Sequence, residues 1–217
     1  MIRFVLFDVD DTLYPRSSPV WPTLRGRILQ YVVERMGLTL SEAEALRERY
    51  LREYGTTTRG LYEHDQIDIH EYLAYVHDLP LSNWLLADPE LHRVLSHIPV
   101  RKCVFTNASR QHALNVANVL GIADHFDCIF ALEDFDFISK PDPRPYRVVL
   151  ERLGARGDEC VFVEDSLRNL DTAKACGMHT VLVADEPAPK AASVDFVIRR
   201  VHDLVDALRA MGVPVTD

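Results

Sequence analysis

Six short apolar runs, each five or six residues long, constrain this chain more than any other feature of its sequence. They are residues 3–8 (RFVLFD), 101–106 (RKCVFT), 127–131 (DCIFA), 160–164 (CVFVE), 180–184 (TVLVA) and 194–198 (VDFVI). Each is nearly continuous in Val, Ile, Leu and Phe rather than alternating with polar residues. That is the pattern of strands covered on both faces, as in a parallel sheet flanked by helices. Between the later runs lie helical patterns over 110–120, 143–153 and 167–176, each followed by a glycine (Gly121, Gly154, Gly177) suited to a left-handed helix stop. Strand and helix therefore alternate from residue 101 onward, which predicts an α/β fold built on a doubly wound parallel sheet.

Residues 16–86 interrupt the alternation. They carry helical patterns over roughly 19–36, 41–54 and 68–77, with Ser41 and Glu44 at capping-box spacing, and no apolar run of strand quality. The run EAEALRERYLRE (42–53) reads as an amphipathic helix with a solvated face, and Tyr72 and Tyr75 as packing residues on one helix face. The expected organisation is a catalytic core over 1–15 and 87–217, with an all-helical cap inserted over 16–86 where it can lie above the site as a lid.

The first run drives straight into Asp8, Asp10 and Asp11 (FVLFDVDDTLYP). Carboxylates this close repel one another unless a cation sits among them. In open parallel sheets ligands bind beyond the carboxyl ends of the strands, and the other ends supply complementary chemistry. Thr106 and Asn107 end the second run. Lys140-Pro141-Asp142-Pro143 follows the third, and Glu164 and Asp165 close the fourth. Asp8 and Asp10, two apart in an extended segment, face the same side, so one can attack while the other moves a proton. Clustered oxygen ligands with room for water suit Mg²⁺. Lys140 adds a positive charge, Thr106 can hydrogen-bond phosphate oxygens, Asn107 either contacts the phosphate or shapes the loop, and Asp142 with Pro143 reads as an N-cap followed by proline at the first helical position. Asp11 reads as a turn residue.

The ordered set DVDDT, FTNAS, SKPDP and VEDS resembles the haloacid dehalogenase superfamily. The likeness extends over residues 4–12 and 101–185, with the helical insert where that superfamily carries its first type of cap. It implies a Rossmann-like core, Asp8 as nucleophile forming an aspartyl-phosphate, and Asp10 as general acid and then base. It also implies Mg²⁺ held by the Asp8 carboxylate, the Asp10 backbone carbonyl and Asp165, with Glu164 acting on the ion through water. Glu164 stands where many relatives have Gly or Asp. A halide leaving group needs no proton and no metal, whereas an alkoxide needs both, so Asp10 favours phosphoryl transfer within the superfamily. The stretch 54–81 (YGTTTRGLYEHDQIDIHEYLAYVHDLPL) is similar to the cap of pyrimidine 5′-nucleotidases. That implies a nucleoside monophosphate substrate, with Arg59 and His64 near it and Tyr14 and Tyr62 flanking the base. A phosphatase for a sugar phosphate or phosphoglycolate, a phosphomutase and a non-catalytic phosphate-binding protein are the alternatives.

Composition narrows the partners. The net charge of −9 argues against a nucleic-acid backbone, though not against free nucleotides. No run approaches the ~20 apolar residues of a membrane helix, and with no signal-peptide pattern at the N-terminus the expected location is cytoplasmic. The four cysteines form no CxxC pair and the nine histidines no zinc pattern, so reduced thiols are expected. Monomer and homodimer are both compatible with the sequence.

Overall fold

The computed structural model describes residues 1–185 and 191–216, so the expected core segment 87–217 includes six residues outside the description. Six strands, β1 (Phe4–Phe7), β2 (Arg101–Phe105), β3 (Cys128–Phe130), β4 (Cys160–Glu164), β5 (His179–Val183) and β6 (Phe196–Ile198), form one sheet in the order β3-β2-β1-β4-β5-β6. All five pairings are parallel. Every strand lies within one of the six apolar runs or one residue outside it. The chain leaves β1 in one direction across β2 and β3, then returns to lay β4, β5 and β6 on the other side. The strand order thus reverses at the β1–β4 junction, where ligands of open α/β sheets bind.

Both sheet faces are covered, which explains the unbroken apolar runs. Val5, Phe7, Val161 and Val163 point into one layer, packed with Leu91, Leu95 and Val116. Phe4, Leu6, Cys160 and Phe162 point into the other, with Tyr146, Val149 and Leu170. Among the described residues no helix is long and apolar enough to cross a membrane, and all four cysteines are free thiols.

Between β1 and β2 come α1 (Val20–Met36), α2 (Leu40–Tyr54), α3 (Thr57–Asp65), α4 (Ile69–Val76) and α5 (Pro89–Ser96). The first four share an apolar cluster of their own built on Leu24, Ile28, Tyr31, Tyr50, Leu61 and Tyr72. Helix α5 joins the sheet instead, through Leu91, Val94 and Leu95. The capping box of α2 is Thr39 with Glu42, not Ser41 with Glu44. Thr39 has the extended backbone an N-cap requires and accepts from Glu42 N, while Ser41 already lies inside the helix. Helix α3 is absent from the sequence expectations because it opens with β-branched Thr57 and Thr58 and contains Gly60, all poor helix formers. Packing overrides propensity here: a Cβ at Gly60 would lie 2.1 Å from Tyr50 Cγ, so the missing side chain lets α2 and α3 close on each other. The remaining helices are α6 (Arg110–Leu120), α7 (Pro143–Leu153), α8 (Leu167–Ala175) and α9 (Leu204–Ala210). Asp142 caps α7 with Pro143 at its start.

Candidate active site

The strand ends at the β1–β4 reversal and the helical insert enclose a cavity of about 610 Å³. Asp8 follows β1 directly, Thr106 and Asn107 follow β2, and Glu164 and Asp165 end β4. Lys140 comes from the loop before α7. All of them line this cavity, as does Asp10.

Lys140 organises the floor. Its ammonium is almost fully buried and donates to Asp8 Oδ1, Glu164 Oε2 and the Phe105 carbonyl, each at 2.8 Å. All three protons are thereby used, and the Phe105 and Phe162 rings lie 4.9 Å from Nζ. Asn107 holds the lysine's backbone in place. Its Oδ1 accepts from Lys140 N at 2.7 Å and its Nδ2 donates to Lys140 O at 3.0 Å. Asn107 therefore braces the loop while facing the cavity. Thr106 Oγ1 accepts from Ala108 N at 3.0 Å, which leaves its hydroxyl proton for another acceptor.

Three carboxyls, Asp8, Glu164 and Asp165, present oxygens within 4.8 Å of one another. One lysine cannot neutralise them all. Burial and the Glu164 charge push the Asp8 carboxyl up to about 7 against the opposing pull of Lys140. Burial and Glu164 push Asp165 up to about 9. Glu164 is also penalised by burial, but Lys140 and its hydrogen bonds hold it below the usual carboxylate range. Its oxygens accept from Lys140 Nζ, Asn169 Nδ2, Asp165 N and Ser166 N. An all-oxygen set in which two acids are driven toward protonation fits a hard divalent cation such as Mg²⁺. Asp8 and Asp165 are the carboxylates suited to hold it, since Glu164 is already engaged by four donors. Arg16, to which the sequence analysis gave no role, donates to Asp165 Oδ2 and lies 3.8 Å from Asp11. Asp11 itself takes a left-handed turn conformation, φ +58°.

Asp10 has different surroundings. Its Oδ1 accepts from Tyr14 Oη at 2.5 Å and pairs with His112 Nε2 at 2.8 Å. Burial alone would raise its pKa, but His112 and Tyr14 together hold the carboxyl down to about 2. His112 is fully buried on α6, its Nδ1 without a partner among the described residues, and it stacks on His77 with ring centroids 4.5 Å apart. His77 Nδ1 meets Ser109 Oγ at 3.0 Å. His112 stands outside the set of site residues expected from the sequence. The available signal was a histidine on the apolar stripe of α6, beside Ala113 and Val116.

Four expected substrate contacts lie elsewhere. Tyr14 does not line the cavity; it is buried in the sheet layer, and its hydroxyl is spent on Asp10. Arg59 pairs with Glu63 and donates to the Asp136 carbonyl at 3.2 Å. His64 meets the Tyr54 hydroxyl and stacks on Tyr50. Tyr62 leans on Phe137. None of these four borders the cavity. Their sequence neighbourhood suggested substrate contact, but Asp10 engages Tyr14, Glu63 pairs with Arg59, Phe137 meets Tyr62 and Tyr54 meets His64.

Residues 2–177 match the family described as haloacid dehalogenase-like hydrolase. The chain belongs to this family. Phosphate metabolism protein 8 of Saccharomyces cerevisiae is 31% identical over 195 residues, which cover 83% of this chain and 61% of the yeast protein, so the chain spans less than two thirds of that relative. Glyceraldehyde 3-phosphate phosphatase of Methanopyrus kandleri is 28% identical over 236 residues, covering 98% of this chain and 99% of that protein. Among solved structures, the L-2-haloacid dehalogenase from Xanthobacter autotrophicus with chloropropionic acid covalently bound aligns at a TM-score of 0.61 and 18% identity, covering 97% and 100% of the two chains. That likeness concerns the fold alone.

Cation binding at these three carboxyls would register thermodynamically. A carboxyl whose pKa is raised on folding binds its proton more tightly folded than unfolded. It therefore favours the fold at low pH, and that contribution is lost as pH rises through the folded value. For Asp8 and Asp165 the loss runs from about pH 4 to between 7 and 9. The expected result is a melting temperature raised by millimolar Mg²⁺ more at pH 8 than at pH 5, read by thermal shift. An equal shift at both would contradict metal binding at these carboxylates.

Proposed function

We propose that this chain is a Mg²⁺-dependent phosphomonoesterase that hydrolyses a pyrimidine nucleoside 5′-monophosphate through an aspartyl-phosphate on Asp8. The observation that carries the proposal is Asp10: a second carboxylate, tied down by Tyr14 and His112, sharing the cavity with Asp8. Displacing a halide would leave it without a task.

In this reading an Asp8 carboxylate oxygen attacks phosphorus and the bond from phosphorus to the ester oxygen breaks. Lys140 steadies the nucleophile, and the Thr106 hydroxyl donates to a phosphoryl oxygen. Asp10 gives a proton to the departing alkoxide. The dianionic ester beside it favours the protonated form by like-charge repulsion. Asp10 then takes a proton from the water that attacks the aspartyl-phosphate, releasing inorganic phosphate and restoring Asp8. Asp8, Asp165 and the Asp10 backbone carbonyl would hold Mg²⁺, which when bound would neutralise charge on the phosphoryl oxygens. The helical insert serves as a cap. Gly55, left-handed at φ +83°, brings it so close to the core that an added Cβ would sit 2.9 Å from Pro141 Cδ.

The Methanopyrus relative favours a second reading, a three-carbon phosphate ester. The cavity's size and its apolar and aromatic wall, including Trp21, Leu24 and Ile28, favour a larger leaving group. Phosphate release from UMP, CMP, AMP, glyceraldehyde 3-phosphate and p-nitrophenyl phosphate with Mg²⁺, by the wild type and Asp10→Asn, tests both points. UMP and CMP should show the highest kcat/KM. Asp10→Asn should slow UMP hydrolysis by roughly 10²–10⁴-fold and p-nitrophenyl phosphate far less, because p-nitrophenolate scarcely needs a proton. Preference for the three-carbon ester would overturn the substrate, and equal losses the acid role.

A further inference from the structure

The cavity has a floor of acids and a roof made by the helical insert, and the roof holds two buried polar groups each with a donor left unused among the described residues. Arg47, on α2, is one. Four arginines line the cavity. Arg16 pairs with Asp165, Arg25 lies 3.7 Å from Glu44, and Arg168 reaches the Leu51 carbonyl at 3.5 Å. Arg47 alone among them has no hydrogen-bond or ion-pair partner among the described residues, and its Nε is buried. Tyr72, on α4, is the other. Its side chain is fully buried with its ring edge against Tyr31; the Thr58 side chain lies beside its hydroxyl oxygen, while no acceptor among the described residues takes its proton. Buried donors left unpaired are uncommon because each loses its water without replacement. Two such groups on the wall facing the nucleophile point to a ligand that supplies what the protein withholds.

We infer that Arg47 and Tyr72 form the subsite for the leaving group and bind acceptor oxygens on a planar, largely apolar ring. This rests on the phosphomonoesterase reading, in which the ring is a pyrimidine base and the oxygens are its carbonyls. A guanidinium offers planar N–H donors that match a carbonyl edge. A tyrosine hydroxyl donates to a second oxygen or accepts from a ring N–H. Leu24 and Ile28 of α1 give the ring an apolar surface to lie on. The site discriminates because an ester without such oxygens leaves both groups unpaired.

The test compares UMP with phenyl phosphate, whose leaving group carries no acceptor beyond the ester oxygen, using the full chain with Mg²⁺. The readout is the ratio of the two kcat/KM values. Arg47→Met should lower that ratio about 10- to 100-fold, mainly through KM for UMP. Arg47→Lys, which keeps the charge but loses the planar fork, should fall between it and the wild type. Tyr72→Phe should lower the ratio about 3- to 10-fold. Circular dichroism checks that each variant is folded. Equal losses on both substrates in Arg47→Met, or an unchanged ratio, would overturn the subsite. The wild-type arm judges the nucleotide reading separately. If glyceraldehyde 3-phosphate is preferred to UMP, the pyrimidine assignment falls, and the same ratio taken with the preferred ester decides whether Arg47 and Tyr72 read its oxygens.

Discussion

Replacing Asp8 with Asn is expected to lower phosphate release by roughly 10⁴-fold or more while leaving the protein at least as stable as the wild type. The magnitude follows from removing the atom that, in the proposed mechanism, forms the covalent bond, a loss other groups cannot share. The stability follows from the surroundings. Burial and Glu164 already work against the charged form of Asp8, so a neutral isostere removes a repulsion. The carboxamide oxygen can still accept from Lys140 Nζ, which reaches Asp8 at 2.8 Å. Steady-state release from UMP and a melting curve check both halves. Turnover within 100-fold of wild type would remove Asp8 from the nucleophile's role.

Replacing Lys140 with Met should do the opposite to stability. The methionine is similar in length and apolar, but it leaves Glu164 and Asp8 facing each other with no cation between them. Both are buried, and Lys140 is the ion that reaches the two together. Breaking a buried ion pair by removing one partner costs about 3–5 kcal/mol, which for a chain of this size lowers the melting temperature on the order of 10 °C. The loss should be greater at pH 8 than at pH 5. Without the lysine the acids shift toward higher pKa when folded, so they stabilise the fold only while protonated and cease to do so as pH rises. Turnover should fall as well, since Asp8, the proposed nucleophile, loses its fixed partner. A melting temperature within 2 °C of wild type at pH 8 would show that the acids do not need this cation.

The resemblance between strand runs and strands has a simple cause. A strand buried on both faces must be apolar at every position, and that condition is written locally in residues 3–8, 101–106 and 160–164. The acids at the ends of β1 and β4 were legible for the same reason: charge cannot continue a buried strand, so it marks the edge. Helix α3 was not legible because its propensity is poor and Tyr50 packed on Gly60 holds it. Nor was the position of Tyr14. Its place after the acidic loop suggested the ligand, but the turn at Asp11 carries it behind Asp10, into the sheet layer.

What the amino-acid order determined by itself is the alternation of strands and helices, the helical insertion after the first strand, and the presence of Asp8, Thr106, Lys140 and Asp165 at successive strand ends or in the loop that follows. Each depends on residues near one another in the chain. Only the tertiary structure decided that Lys140 is spent on Asp8, Glu164 and a carbonyl, that His112 grips Asp10, and that Arg47 and Tyr72 face the cavity while Arg59 and His64 turn from it. Those relations join residues as much as 132 positions apart. They are set by how helices pack over a sheet edge, a geometry that no local pattern of polarity encodes.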